Sequence, residues 1–161
     1  MAGELNSELL LAFAVHEHFC KSMLDAFALI NEEGVIVKSN QLFSIMIQKK
    51  SRQFLNTKFD EHITLSIGET PLAVQQILDI RTPMRIDEVR GKTEGMDWMN
   101  LIVGVYPFLR DSKLLGRFVL VRDVTAETNL QDKYKVKSAQ SVTDKLTGLY
   151  NRQYFDSYLP K

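Results

Sequence analysis

The sequence predicts an α+β protein: an antiparallel sheet with flanking helices, preceded by an amphipathic N-terminal helix and followed by a helical linker. Three observations predict it. Apolar residues recur at helical spacing up to about residue 27 and then alternate at period two. The strand-like segments fall into two groups, one near residue 30 and one after residue 84, with helix-like sequence between them. Each group is built from hairpins, which give antiparallel pairing, instead of from alternating strand–helix units.

Residues 4 to 27 read as one amphipathic helix. Leu5, Leu9, Ala12, His16, Phe19, Met23 and Ala26 step by four and three, an a/d heptad stripe with one odd member, His16. Phe13, Cys20 and Leu24 widen the stripe, so the helix is expected to cover a sheet as well as meet a partner. Phe27 to Ile30 and Val35 to Val37 form a hairpin around Asn31-Glu32-Glu33-Gly34, where Gly34 is free to take positive φ. Asn40 stands at a helix N-cap ahead of Leu42, Phe43 and Ile47. Residues 48 to 68 read as a short helix and loops. Thr70-Pro71 reads as a capping hydroxyl followed by proline at the first helical position, opening a helix to about Asp79 that Thr82-Pro83 ends.

Three strands follow, Met84 to Val89, Met96 to Phe108 and Leu115 to Val124, with turns at Gly91 to Gly95 and Arg110 to Lys113. Met99, Leu101, Val103 and Val105 share one strand face without a polar member, as do Val119 and Val121. These faces are the expected interior. The opposite face carries Trp98, Ile102, Tyr106, Phe118 and Leu120, too apolar to stand bare, and the N-terminal helix is its expected cover.

Composition bounds the function. Of 161 residues, 45% are hydrophobic and 25% charged, which suits one globular core with appendages. Acidic and basic residues number 20 each, which argues against a nucleic-acid surface or a polybasic membrane patch. Cys20 is the only cysteine, so no intramolecular disulfide forms and a reducing, cytoplasmic setting is expected. The apolar run Leu9 to Val15 is far short of the roughly 18–20 residues that span a bilayer, and no basic segment precedes it.

Two short pieces carry a resemblance. One is Ala28-Leu29-Ile30-Asn31-Glu32-Glu33-Gly34-Val35-Ile36 followed by Asn40. The other is Gly116-Arg117-Phe118-Val119-Leu120-Val121-Arg122-Asp123-Val124-Thr125. In this order and spacing they resemble a PAS domain over roughly residues 24 to 125. The resemblance implies a sensor whose closing Asp123-Val124-Thr125 passes signal from the last strand into an output helix.

Further on, Asp144-Lys145-Leu146-Thr147-Gly148-Leu149-Tyr150-Asn151-Arg152 resembles the D-x-L-T-G-L-x-N-R signature that opens GGDEF domains, matching seven fixed positions in nine residues. Its members are Asp144, Leu146, Thr147, Gly148, Leu149, Asn151 and Arg152. Gly148 suits a tight turn and Asn151 an N-cap, with Tyr150 and Phe155 placed for a hydrophobic staple. This resemblance implies a bacterial cyclic-di-GMP signalling protein in which a diguanylate cyclase joins two GTP molecules with Mg²⁺. The metal ligands, the guanine-reading pair and the Gly-Gly-(Asp/Glu)-Glu-Phe loop of that family have no counterpart up to Lys161. This chain is therefore expected to be non-catalytic and to hold neither metal nor cofactor itself. Two alternatives are a regulatory PAS above a degenerate GGDEF and a phosphodiesterase domain, and a ligand-free PAS dimerisation module.

The expected organisation is a dimerisation helix over 1–25, a PAS-like sensor over 26–125, a helical signalling linker over 126–143 and the start of a GGDEF domain over 144–161. The stripe Leu5, Leu9, Ala12, His16, Phe19 and Met23 is the expected dimer contact of a homodimer. In the linker, Leu130 and Tyr134 lie on one stripe and Val136, Ala139, Val142 and Leu146 on a displaced one, a marginal coiled coil with room for a register shift. Met84, Ile86, Met99, Leu101, Val103, Val105, Val119 and Val121 are the ligand-pocket candidates. They include no polar anchor, which favours a filled core or a small apolar ligand over a charged metabolite. His16 reads as a tolerated helix histidine, His18 as solvated and His62 as a surface loop residue. Cys20 reads as a small buried side chain, and Trp98 as sheet cover.

Overall fold

The computed structural model describes residues 2–142 and Leu149; apart from Leu149, which is exposed, the motif Asp144–Arg152 lies outside them. The chain divides into two units, Met1–Val124 and Thr125–Lys161.

The first unit holds seven strands and four α-helices: α1 (Ala2–Ala14), α2 (Glu17–Lys21), β1 (Ala26–Asn31), β2 (Ile36–Ser39), α3 (Gln41–Met46), β3 (Ile63–Ile67), β4 (Thr70–Leu72), α4 (Val74–Leu78), β5 (Met84–Thr93), β6 (Met99–Arg110) and β7 (Lys113–Asp123), with short 3-10 turns at Ser51–Gln53 and Phe59–Glu61. The strands form one antiparallel sheet in the order β2-β1-β7-β6-β5-β3-β4. The first and last strands of the domain are neighbours, Ala26 facing Val121. The second unit's described element is α5 (Thr125–Val142).

Strand alternation sorts the side chains into two cores. The inner face packs Ala28, Ile30, Val103, Val105, Val119 and Val121 against Phe43, Phe54 and Phe59 from the segment between the two groups of strands. The outer face packs Phe27, Leu29, Phe118 and Leu120 under Leu9, Phe13 and Cys20 of the N-terminal helices. Phe13 is the wedge of this second core: its ring stacks on Phe118 at 6.1 Å and meets Phe27 at 5.9 Å and Phe108 at 6.3 Å. Burying an aromatic ring of this kind stabilises by about 1.5–3 kcal/mol.

Three sequence expectations are corrected. The N-terminal helix is not continuous over 4–27. It breaks at Val15-His16, restarts for five residues as α2 and gives way to β1 at Ala26. The expected stripe runs from Leu9 in the outer core to Ala26 in the inner one, so it does not lie along one helix on one face of the sheet.

Thr70-Pro71 does not open a helix. Thr70–Leu72 is an edge strand hairpinned to β3 through Gly68, whose φ is +58°, and α4 begins only at Val74. Proline is tolerated there because an edge strand need not donate from every N–H. β3 itself was hidden inside 48–68, although Ile63, Leu65 and Ile67 alternate with Thr64 and Ser66.

Gly91 is not in a turn. It lies within β5, where an added Cβ would stand 2.2 Å from Leu101 Cδ1, and the turn belongs to Gly95, at φ +76°.

The hairpin between β6 and β7 turns on Asp111 and Ser112, at φ +51° and +64°. Positive φ at both central residues is the tight-turn geometry that matches sheet twist.

Candidate sensory and signal-transfer site

The six central pocket candidates, Met99, Leu101, Val103, Val105, Val119 and Val121, are all buried on the inner face. Three rings, Phe43, Phe54 and Phe59, belong to the same core. Phe43 stands edge-on to Phe54 at 5.6 Å and stacks on Phe59 at 6.0 Å. Met84 is corrected as an interior residue: it begins β5 at the sheet's rim and is 46% exposed. Ile86 is half-buried.

Open space lies at one end of this face. A groove of about 420 Å³ runs between α3 and the ends of β6 and β7, lined by Leu42, Ile45, Met46, Met96, Met99 and Val121. Its rim carries Asp25 and Arg122, paired as a fork with Nε and Nη2 donating to the carboxylate at 2.8 and 3.2 Å. The pair is partly exposed, so its free energy is small, below about 1 kcal/mol. Its placement matters more, because it joins the residue just before β1 to the end of β7.

Asn40 fixes the same corner. Its Oδ1 accepts from Phe43 N–H at 3.0 Å, capping α3, and from Phe27 N–H at 3.1 Å on β1. Its Nδ2 donates to the Asp25 carbonyl at 2.8 Å. One side chain thus holds the groove's helix, the first strand and the ion-paired Asp25 together. Asn31 does the equivalent work at the other end. Its Oδ1 accepts from Glu33 and Val35 N–H, both at 2.9 Å, closing the first hairpin, and its Nδ2 donates to Asn6 on α1 at 2.9 Å.

The residues expected to transmit signal sit where a strand becomes a helix. Asp123 is the last residue of β7 and pairs with Leu101, Val124 N–H donates to the Asn100 carbonyl at 2.8 Å, and Thr125 opens α5. On α5, Leu130, Tyr134 and Val136 are exposed.

Of the proposed dimer stripe, Leu9 is buried on the sheet of its own chain, Ala12 and Met23 pack against the same core, and His16 lies edge-on to Phe108. Leu5 and Phe19 lie on α1 and α2. Among the described side chains of α1, Leu10 and Leu11 are exposed, followed by Val15 at the helix break.

Beyond Asn31, the described residues bury His62, Ser66, Thr93 and Arg117, none of them expected inside. His62 is 8% exposed, against the expectation of a surface loop residue. Thr57 donates its hydroxyl proton to the Phe54 carbonyl at 2.6 Å, so His62 Nε2 carries the proton shared with Thr57 Oγ1, also at 2.6 Å. Nδ1 is then the acceptor that faces the Lys49 ammonium at 3.3 Å, and Lys49 pairs with Glu94 at 3.1 Å. Burial, and then Lys49, hold the imidazole below its usual range, with Glu61 and Glu94 opposing.

Arg117 is 1% exposed and follows Val121 and Val119 on the inward side of β7. The interior therefore holds a charged side chain beside the apolar pocket candidates.

Cys20 is buried as expected, and burial, then Glu17, push its thiol up. Trp98 is exposed beside Arg90 and Lys92, which stand 5.3 and 5.6 Å from its ring, so the N-terminal helices do not cover it. Among the described residues no cluster of His, Cys, Asp and Glu is placed to hold a metal ion. Among them, too, no helix is long and apolar enough to cross a membrane.

No family model and no curated protein matches the sequence. Solved structures do match. The PAS domain of nitrogen regulation protein NR(II) from Vibrio parahaemolyticus superposes with a TM-score of 0.51 at 16% identity, over 66% of this chain and 94% of that one. The PAS domain of an HTR-like protein from Haloarcula marismortui gives 0.53 at 16%, over 73% and 95%. The PAS domain of BvgS from Bordetella pertussis gives 0.55 at 13%, over 78% and 97%. The fold of the first unit is the PAS fold.

Proposed function

We propose that this chain is the sensory and dimerisation module of a bacterial cyclic-di-GMP signalling protein, set before a GGDEF diguanylate cyclase that it controls. One observation carries the reading: the PAS-fold sheet ends at Asp123 and runs through Val124-Thr125 directly into α5, with the D-x-L-T-G-L-x-N-R motif close behind. A molecule seated in the groove beside Met99 and Val121 would touch the same strand ends that lead into the helix. It biases output only by the difference in its affinity for two arrangements of those ends. Pairing of two α5 helices would cover the exposed Leu130, Tyr134 and Val136 and bring two cyclase domains together. The module itself performs no chemistry in this reading; GTP and Mg²⁺ belong to the effector.

The test joins residues 1–161 in frame to the catalytic remainder of a cyclase lacking its own input domain. Cyclic-di-GMP output is followed for wild type, Asp123→Ala and Leu130→Lys. Either substitution should change output by about 5-fold or more, the lower range of allosteric coupling. Equal output from all three, with the proteins folded, would sink the proposal.

A further inference from the structure

We infer that Arg117 anchors the carboxylate of a small aliphatic acid that enters between β7 and α4. The guanidinium is among the most completely buried side chains of the molecule. Its Nη2 donates to the carbonyl of Leu78, the last residue of α4, and its Nε has no acceptor among the described residues. No carboxylate there lies within ion-pair distance of it.

A buried cation without an anion is costly, and arginine cannot escape by losing its proton. Burial works against the charge and nearby Arg81 adds to it, while Glu32 and Asp79 oppose only from a distance. Both acids are exposed, and Asp79 already accepts from Gln75 at 2.9 Å. A carbonyl oxygen is the weaker partner for a guanidinium; a carboxylate satisfies its fork with two parallel bonds.

The surroundings select the rest of the ligand. Ile30 stands opposite Arg117 on β1, and Ile77, Leu78 and Ile80 belong to the same core. One buried positive charge among aliphatic side chains suits one negative charge on an aliphatic tail. The nearby Arg81 is exposed, so the second charge of a phosphate monoester would lack a buried cation. In this scheme Leu78 is the placeholder: the acid takes over the guanidinium, and the end of α4 yields to admit it.

The inference rests on the sensory reading above. It is tested by binding alone, so its failure leaves control of the effector untouched, and loss of that control leaves the binding result standing. The full chain is melted in a titration of sodium butyrate, with sodium chloride at equal ionic strength and butyramide as controls. Butyrate should raise Tm saturably, as any ligand of the native state does, and the controls should not. Arg117→Met should melt no lower than wild type, because it removes a buried unpaired charge, and should no longer respond. Arg117→Lys keeps the charge without the fork and should need about 10-fold more butyrate for half its effect, a loss of one strong hydrogen bond.

Absence of a butyrate shift in wild type overturns the proposal, as does an equal shift in Arg117→Met. So does a Glu32→Gln variant that melts well below wild type without any butyrate response, because Glu32 would then be the internal counter-ion.

Discussion

Asn40→Ala isolates the corner that unites the groove helix with the first strand. Alanine removes the acceptor for Phe43 N–H, a cap worth about 1 kcal/mol. It also strips the part-buried Phe27 N–H of its acceptor, about 1–3 kcal/mol. The bond to the Asp25 carbonyl goes too, at about 1 kcal/mol. The three share one side chain and do not simply add, so the expected loss is about 3 kcal/mol. Asn40→Asp keeps the acceptor and loses only the donor, and should cost about 1 kcal/mol. Urea unfolding followed by tryptophan fluorescence and circular dichroism reads both, and at a slope of about 2 kcal/mol per molar the alanine midpoint should fall by about 1.5 M. An alanine variant within about 0.5 kcal/mol of wild type at unchanged slope refutes the hub. Equal losses in the two variants refute the partition between acceptor and donor.

Two further outcomes follow from single sites. Because His62 is held below its ordinary pKa of 6.5, the unfolded chain takes up the proton first as pH falls. Stability should be full above about pH 6.5, decline as pH drops below it and level off under the folded-state value; His62→Gln should flatten that slope in urea midpoints taken from pH 7.5 to 5. Gly116→Ala should cost about 3 kcal/mol or more, since its Cβ would stand 2.2 Å from the Ile30 backbone oxygen and no rotamer can relieve that. Gly68→Ala, with φ +58° but nothing within 4 Å, should cost only about 1–2 kcal/mol, and equal melting of the two would contradict the close β1–β7 approach.

The sequence carried the parts of this fold whose signals are local. The Asn31–Gly34 turn, the Asn40 cap and the alternation through Val103 and Val119 each depend on neighbours within a few residues, and each appears where expected. Thr70-Pro71 misled because a hydroxyl before proline serves an edge strand as well as a helix start; pairing with β3 decided between them. The helical spacing of the N-terminal region does not run on as one stripe past Ala14, and Leu9 on it, with Phe13 beside it, is buried in the chain's own sheet, a choice of partner that spacing does not encode. Arg117 continues the inward alternation of Val121 and Val119, and its charge hid it: a rule that sends arginine to the surface removed it from the interior face. His62 was hidden for a different reason. Its burial comes from Thr57 and Lys49, which a loop brings to it and no periodicity announces.

The pairing of Ala26 with Val121 has a mechanical consequence. The two ends of the PAS-fold sheet lie side by side, on antiparallel neighbours, with Asp25 clasping Arg122 at that end. Tension pulling those ends apart loads one rung at a time, beginning at the clasp and running toward Asn31 and Gly116, as a zip opens. A force sliding the strands past each other would load all the rungs together. The β1–β7 pairing is therefore softer to separation of its ends, at residues 25 and 122, than to shear between them.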